Sequence, residues 1–359
     1  MKRYMTSVFC SVLLAGWTVT NASAQAAAAE AHVAAAKAAV SPKTGNPQAW
    51  QLLDYVFNRE CTPPRPGARG AGAEAVGRNV PLEPGEQRKL EPTPRTEWYV
   101  APARVFDNLY YIGTKTESTW ALTTSAGIIL LNTNFEWVTT DLLNELKQFG
   151  LDPANIKYAV ITHAHSDQYW GVNTLKKMVP SAQVIMSEAD WDTVSKDNSP
   201  ERLRPQKDIV ATDGYKLTLG DTTVTIYLTP GPSAGTTSLI FPVKDGNQRH
   251  VAAMWGGTGA NLIRSGVQLF PDRQTMLRSQ VAGMKRFIDM QKNAGVDTLI
   301  TIHAALDKMF DKLAAMKPGR LAIPGSRYQN TFVDKDLVKR FNAILLECAQ
   351  AKLARANGS

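Results

Sequence analysis

The stretch Ile161–Gly171 reads ITHAHSDQYWG and gathers His163, His165, Asp167 and Gln168 within six residues, directly after the apolar run KYAV. Residues two apart in an extended segment project to the same side, so His163 and His165 are able to grip one ion together. Imidazole nitrogen and carboxylate oxygen are the usual ligands of zinc, beside thiolate. Asp167, two residues further on, either ligates a second ion or orients an ion-bound water. The chain holds five histidines, and two fall in this one turn. The combination points to a metal-dependent hydrolytic site; the alternative is a pair of surface loop histidines.

Such a site needs rigid elements beneath it. KYAVIT reads as a buried strand whose polar residues lie just beyond its end, where ligands gather in α/β folds. Upstream, NLYYIGT, TWALTTS and GIILLNT are short β-rich runs separated by turn residues, and VTTDLLNELKQFG is a helix closed by Gly150. Downstream, NTLKKMV is a helix and AQVIMSE a strand. Two hairpins follow, turning at Gly220-Asp221 and around Asp245-Gly246. A helix with Asp272 as N-cap carries Leu277, Val281, Met284 and Ile288 on one face. VDTLIT is a further strand, and helices are expected around Leu306–Met316 and Lys335–Ala354. Hairpins, then alternating strands and helices, then hairpins again argue for two packed sheets with helices outside, an α/β sandwich, although the pattern alone does not distinguish it from other mixed folds.

The first residues have a basic start at Lys2 and Arg3, then an apolar run, then Ala22-Ser23-Ala24, which fits a secretory cleavage pattern. Residues 1–24 are therefore read as a signal peptide and the protein as exported, periplasmic or secreted. Residues 25–97 are read as a helical arm and Pro/Gly-rich linker, with Trp50, Leu53 and Val56 on one face of a short amphipathic helix and His32 exposed. Residues 98–359 form the compact domain. The net charge of +8 falls to about +6 without Lys2 and Arg3. Its basic residues are scattered, which argues against a nucleic-acid partner and for a small-molecule substrate. No segment after the first is apolar for long enough to span a bilayer, so stable membrane insertion is not expected. The oligomeric state is left open. Cys61 and Cys348 are either a disulfide between the arm and the last helix or two unrelated thiols.

THAHSDQYWG resembles the His-x-His-x-Asp-His signature of the metallo-β-lactamase superfamily. LTPGPSAGTTSLIF resembles that family's Thr-Pro-Gly-His motif, and LITIHAALDK its last motif, a histidine after a late strand. The resemblance runs from about Val105 to Phe310. It implies a four-layer αββα sandwich with a zinc site along one edge. It also implies that His163 and His165 serve a first zinc, and Asp167 and His303 a second. HVAAMWGGTG carries neither the bridging aspartate of many family hydrolases nor a cysteine, which is similar to the lactamase subclass that uses only His and Asp for its second metal.

Three positions depart from the pattern. Gln168 stands where the family has a histidine ligand, and an amide oxygen is a poorer donor to a borderline-soft ion. Pro232 stands where the third ligand of the first zinc belongs. Asn132 replaces an aspartate expected beneath the site. The expectation is one zinc held jointly by His163, His165, Asp167 and His303, with Gln168 a weak further ligand; a two-zinc site and a metal-poor protein are the alternatives. The expected activity is hydrolysis of an amide, lactam or ester bond, with Asp167 orienting the nucleophile and moving its proton. A catalytically weak binding protein of the same fold is the competing expectation. Tyr169, Trp170 and Trp255 are read as an aromatic wall beside the cleft, or as ordinary core aromatics.

Overall fold

The structure, a computed structural model, describes residues 9–41, 47–62, 93–316 and 330–357. The first sheet contains β1 (Ala103–Phe106), β2 (Leu109–Tyr111), β3 (Trp120–Thr124), β4 (Gly127–Leu131), β5 (Ile156–Val160), β6 (Gln183–Ser187) and β7 (Ile209–Ala211), in that spatial order. Its β1–β4 half is antiparallel and its β4–β7 half parallel. The second sheet is built from β8 (Tyr215–Leu219), β9 (Thr222–Leu228), β10 (Thr237–Asp245), β11 (Gln248–Trp255) and β14 (Thr298–Thr301), ordered β14-β11-β10-β9-β8. A small ribbon of β12 (Ile263–Arg264) and β13 (Val267–Gln268) lies apart.

Strand periodicity decides which side chains go where. In β4, Ile129 and Leu131 face the space between the sheets while Ile128 and Leu130 face the opposite way. In β10, Leu239, Phe241 and Val243 meet them from the other sheet, and Ile240 points outward. Both faces of these strands are covered, so their sequences read as near-continuous apolar runs. The helices Glu136–Glu145, Val172–Met178 and Glu188–Lys196 bury Val138, Leu142, Leu175 and Trp191 against the first sheet. The helices Arg273–Ala294 and Lys335–Asn357 bury Met284, Phe287, Phe341 and Leu345 against the second. Helices, sheet, sheet and helices make the four layers of an αββα sandwich. Both expected hairpins form at the expected turns. Asp272 caps its helix, its carboxylate accepting from Thr275 N at 2.7 Å.

The N-terminal arm is docked on this body. Helices Phe9–Val40 and Pro47–Cys61 pack along Lys335–Asn357 through Ala36, Leu52, Leu53 and Val56. Trp50 departs from the expected apolar face and is exposed. His32 is not exposed as expected: it is half-buried, with Nδ1 2.6 Å from Glu347 Oε2, because the helix that carries it lies against the C-terminal one. His250 is a strand residue in β11, paired with Asp297 at 2.7 Å. Ala22, Ser23 and Ala24 sit within the helix Phe9–Val40, while Lys2, Arg3 and most of the Pro/Gly-rich linker lie outside the described residues. Among the described residues, no helix is long and apolar enough to cross a membrane.

Cys61 and Cys348 form a disulfide across a sequence separation of 287 residues. Closing so long a loop removes much unfolded-chain entropy, about 6 kcal/mol in the simplest model, and engineered and native bonds usually deliver less than that. The paired change Cys61→Ala and Cys348→Ala is expected to cost about 2–4 kcal/mol in denaturant unfolding. A cost near zero would mean that the bond does not constrain the chain.

Glu145 is buried at the end of its helix, where Arg95 Nη2 reaches its Oε1 at 2.9 Å. Burial outweighs the attraction of Arg95 and pushes this carboxyl up to about 7. The folded state thus holds an extra proton between the ordinary carboxylate range and pH 7, and stability is lost as pH rises through that window. Glu145→Gln removes this dependence. Its melting temperature relative to the unaltered protein is expected to improve from pH 5 to pH 8, and a difference that stays flat would contradict the assignment.

Candidate metal centre

The histidine loop is pinned before it reaches solvent. At the end of β4, Asn132 adopts a left-handed backbone (φ 62°) and turns its Oδ1 onto Thr162, accepting from the backbone N at 2.9 Å and from Oγ1 at 3.0 Å. Residue 132 is thus the supporting residue that its position implied, with an amide in place of a carboxylate. The Thr162 carbonyl accepts from Thr237 N at 2.7 Å and so ties the end of the first sheet to the start of β10 in the second. His165 then starts the short helix Ser166–Tyr169, with Gln168 N donating to its carbonyl at 2.8 Å.

Buried Asp190 holds this loop to the 230–236 loop. Its Oδ2 accepts from Ala164 N at 3.2 Å and from Ser233 Oγ at 3.0 Å. Burial pushes its carboxyl up to about 7, with the Ser233 hydroxyl pulling the other way. The approach is so close that a Cβ on Gly235 would stand 2.1 Å from Ser187 Oγ and 2.7 Å from Asp190 Cγ, so only glycine fits there.

His163 and His165 stack edge to face with ring centroids 4.3 Å apart. Burial pushes His163 down to about 4, against the raising effect of Asp167, and pushes His165 well below the usual imidazole range, reinforced by His163. Both rings are therefore neutral at pH 7, the form a metal ligand requires. His165 Nε2 lies 3.1 Å from the carbonyl of Pro232. A carbonyl only accepts, so this nitrogen carries the proton and donates. Residue 232 thus offers a backbone oxygen that occupies His165, and Asn261 Nδ2 reaches the same oxygen at 3.3 Å.

A second group stands beside the pair. His303 follows β14, and its Nε2 is 3.6 Å from Asp167 Oδ2. Glu117, in the loop before β3, completes a set whose three donor atoms all lie within 4.8 Å of one another. The 3.6 Å spacing is too long for a hydrogen bond. It is close to the ~3.3 Å edge expected between two ligands ~2.0–2.1 Å from one tetrahedral zinc. Asp167 is buried, while Glu117 and His303 are partly open to solvent. Gln168 Nε2 donates to Asp167 Oδ2 at 2.5 Å and fixes that carboxylate. The structure therefore brings Asp167 and His303 together, adds Glu117, and seats His163 and His165 next to the group rather than within it.

Three residues read as a cleft wall lie elsewhere. Tyr169, Trp170 and Trp255 are buried. The Tyr169 hydroxyl donates to Asp197, Trp170 Nε1 donates to Ser199 at 3.0 Å, and Trp255 Nε1 donates to Asn342 at 3.0 Å. Their polar atoms are satisfied inside the core, which corrects the substrate-binding expectation. Sequence reasoning missed Glu117, Asp190 and Asn261. No local motif marks Glu117, whose place depends on a bridge to His303 from 186 positions away in the chain.

Comparison with known proteins agrees with this architecture. The model of the metallo-beta-lactamase superfamily matches residues 117–245. BJP-1, a subclass B3 metallo-beta-lactamase of Bradyrhizobium japonicum, is similar at 28% identity with a TM-score of 0.57, over 68% of this chain and 90% of its own. A metallo-beta-lactamase of Cronobacter sakazakii, described by a HARLDQ motif, is similar at 26% identity with a TM-score of 0.53, over 68% and 90%. A mutant of the Legionella gormanii enzyme shares the fold at 24% identity and a TM-score of 0.60, over 71% and 95%. The domain has the metallo-beta-lactamase fold, and the resemblance to that superfamily is shown by both comparisons. Residues 163–168 read HAHSDQ, with the same final Asp-Gln as the HARLDQ motif.

Asp190→Ala leaves the Ala164 N–H and the Ser233 hydroxyl without their buried acceptor. It is expected to cost about 2–4 kcal/mol in urea unfolding. A cost below about 1 kcal/mol would remove Asp190 from its role in holding the two loops together.

Proposed function

We propose that this protein is a metal-dependent hydrolase that cleaves an amide, lactam or ester bond in a small-molecule substrate, with a β-lactam as the first substrate to test. The observation that carries the proposal is the Asp167–His303 spacing of 3.6 Å, with His303 partly open to solvent, beside two neutral histidines. The donor set fits one zinc ion: carboxylate and imidazole are ordinary zinc ligands. A second ion fits less well, because Pro232 gives no side-chain donor and its carbonyl engages His165. We infer a single ion and an exported protein; the Ala22-Ser23-Ala24 pattern and the Cys61–Cys348 bond support export.

When bound, a divalent ion supplies a Lewis acid that polarises a carbonyl and acidifies water toward neutrality. The chain's own residues do the rest. Gln168 holds Asp167 in one orientation, so that its carboxylate can take a proton from the attacking water and return it to the leaving nitrogen or oxygen. His163 stays neutral through burial and adds no positive charge that would repel a cation. Asn261 and His165 hold the Pro232 carbonyl and thereby fix one rim of the cleft.

A catalytically weak binding protein is the second reading, favoured by the engagement of His165 with Pro232. Metal content after purification in zinc, with hydrolysis of a chromogenic β-lactam, separates the two. About one zinc per chain and turnover abolished by chelation are expected. Pro232→His is expected to raise metal content and rate together. No bound metal and no turnover in either protein would leave the binding reading standing.

A further inference from the structure

The superfamily pattern leaves the Asp167–His303 pair short of a third ligand, since position 168 is glutamine. The loop before β3 brings in another donor. Ser118 N donates to the Ile302 carbonyl at 2.8 Å, and Ala304 N donates to the Thr116 carbonyl at 3.0 Å. Glu117 is thereby bridged antiparallel to His303 itself. The loop's curvature is fixed from inside: Asn134 Nδ2 and the Tyr111 hydroxyl donate to the Glu117 carbonyl at 3.3 and 3.4 Å. A Cβ on Gly113 would stand 2.5 Å from that same oxygen. The Glu117 side chain is oriented as well, its Oε2 accepting from the hydroxyls of Thr114, at 3.0 Å, and Thr116.

Two features set this group apart from an incidental acidic turn. Its two carboxylates and one imidazole keep their donor atoms within 4.8 Å of one another. Like charges that close repel unless a cation or a proton lies between them. Independently, Gln168 Oε1 is fully buried without a hydrogen-bond partner, while the nitrogen of the same amide is bound to Asp167. A carboxylate accepts only, so the amide is unable to reverse to satisfy that oxygen. The unmet acceptor belongs to the same amide whose nitrogen holds the Asp167 carboxylate.

We propose that Glu117 replaces the missing third ligand, so that this chain binds its divalent ion through Glu117, Asp167 and His303, with Gln168 Oε1 as an auxiliary donor. The proposal rests on the reading above that the cleft binds metal. It has a consequence for selectivity. Replacing an imidazole by a carboxylate hardens the ligand set, which narrows the preference for zinc over manganese.

Zinc and manganese affinities of the full chain, measured by competition with a chromophoric chelator, test this, with Co²⁺ absorption reporting the ligand field. The unaltered protein is expected to bind one zinc. Glu117→Gln is expected to weaken zinc binding by roughly tenfold or more, and Gln168→His in that background to restore it. Glu117→His is expected to raise the zinc-to-manganese affinity ratio by roughly tenfold and to alter the Co²⁺ spectrum. If Glu117→Gln fails to fold, as read by its metal-free melting curve, Glu117→Asp takes its place, with an expected loss of several-fold. Zinc binding unchanged in a folded Glu117 variant would overturn the role of Glu117 while leaving the metal reading intact. No zinc binding by the unaltered protein would overturn both.

Discussion

Two sheets from different parts of the chain are joined at one edge by a few backbone hydrogen bonds, and everything at the cleft depends on them. Thr237 N reaches the Thr162 carbonyl, Ser118 N reaches Ile302, and Ala304 N reaches Thr116. Each links the first sheet or its adjoining loop to the second. They form where apolar packing between the sheets gives way to polar loops, so their geometry fixes how close His163, Asp167, Glu117 and His303 come. The inter-sheet core of Ile129, Leu131, Val160, Leu239 and Phe241 supplies the cohesion. Each such buried side chain contributes about 1.5–3 kcal/mol, and the edge bonds turn that cohesion into a defined position.

Within that frame, residue types at single positions redistribute the chemistry. Proline at 232 leaves only a carbonyl to face His165, and the imidazole responds as a hydrogen-bond donor. Glutamine at 168 becomes a clamp on Asp167. The histidine pair and the carboxylate–imidazole group thus sit side by side, one buried and engaged with the protein, the other partly open to solvent. The buried ion pair of Lys312 and Asp307 supports the second group: Thr301 Oγ1 donates to the His303 carbonyl at 2.8 Å and lies 3.2 Å from Asp307 Oδ1.

Much of this was legible in the sequence, for physical reasons. Near-continuous apolar, β-rich runs such as GIILL and SLIFPV mark the strands and Gly220-Asp221 and Asp245-Gly246 mark turns, so the strands followed from local pattern and the four-layer arrangement from the family resemblance. His163, His165 and Asp167 were visible because they are adjacent in sequence. Glu117 was not, since its neighbourhood is created by pairing with a distant loop. The aromatic residues, which read as either cleft wall or core, are undecided in the sequence for the converse reason. Tyr169 and Trp170 directly follow the site residues in sequence and Trp255 ends β11, yet all three side chains pack into the core. The arm illustrates a further limit: its spacing predicts a short amphipathic helix but not the partner of Leu53 and Val56, a helix near the opposite terminus.

The central claim is that a cation-binding group forms where Asp167, His303 and Glu117 meet. Anomalous diffraction from zinc-grown crystals tests it most directly. The account predicts one strong peak ~2.0–2.2 Å from a donor atom of each of these three residues. A peak held instead by His163 and His165, or no peak at full zinc exposure, would contradict it.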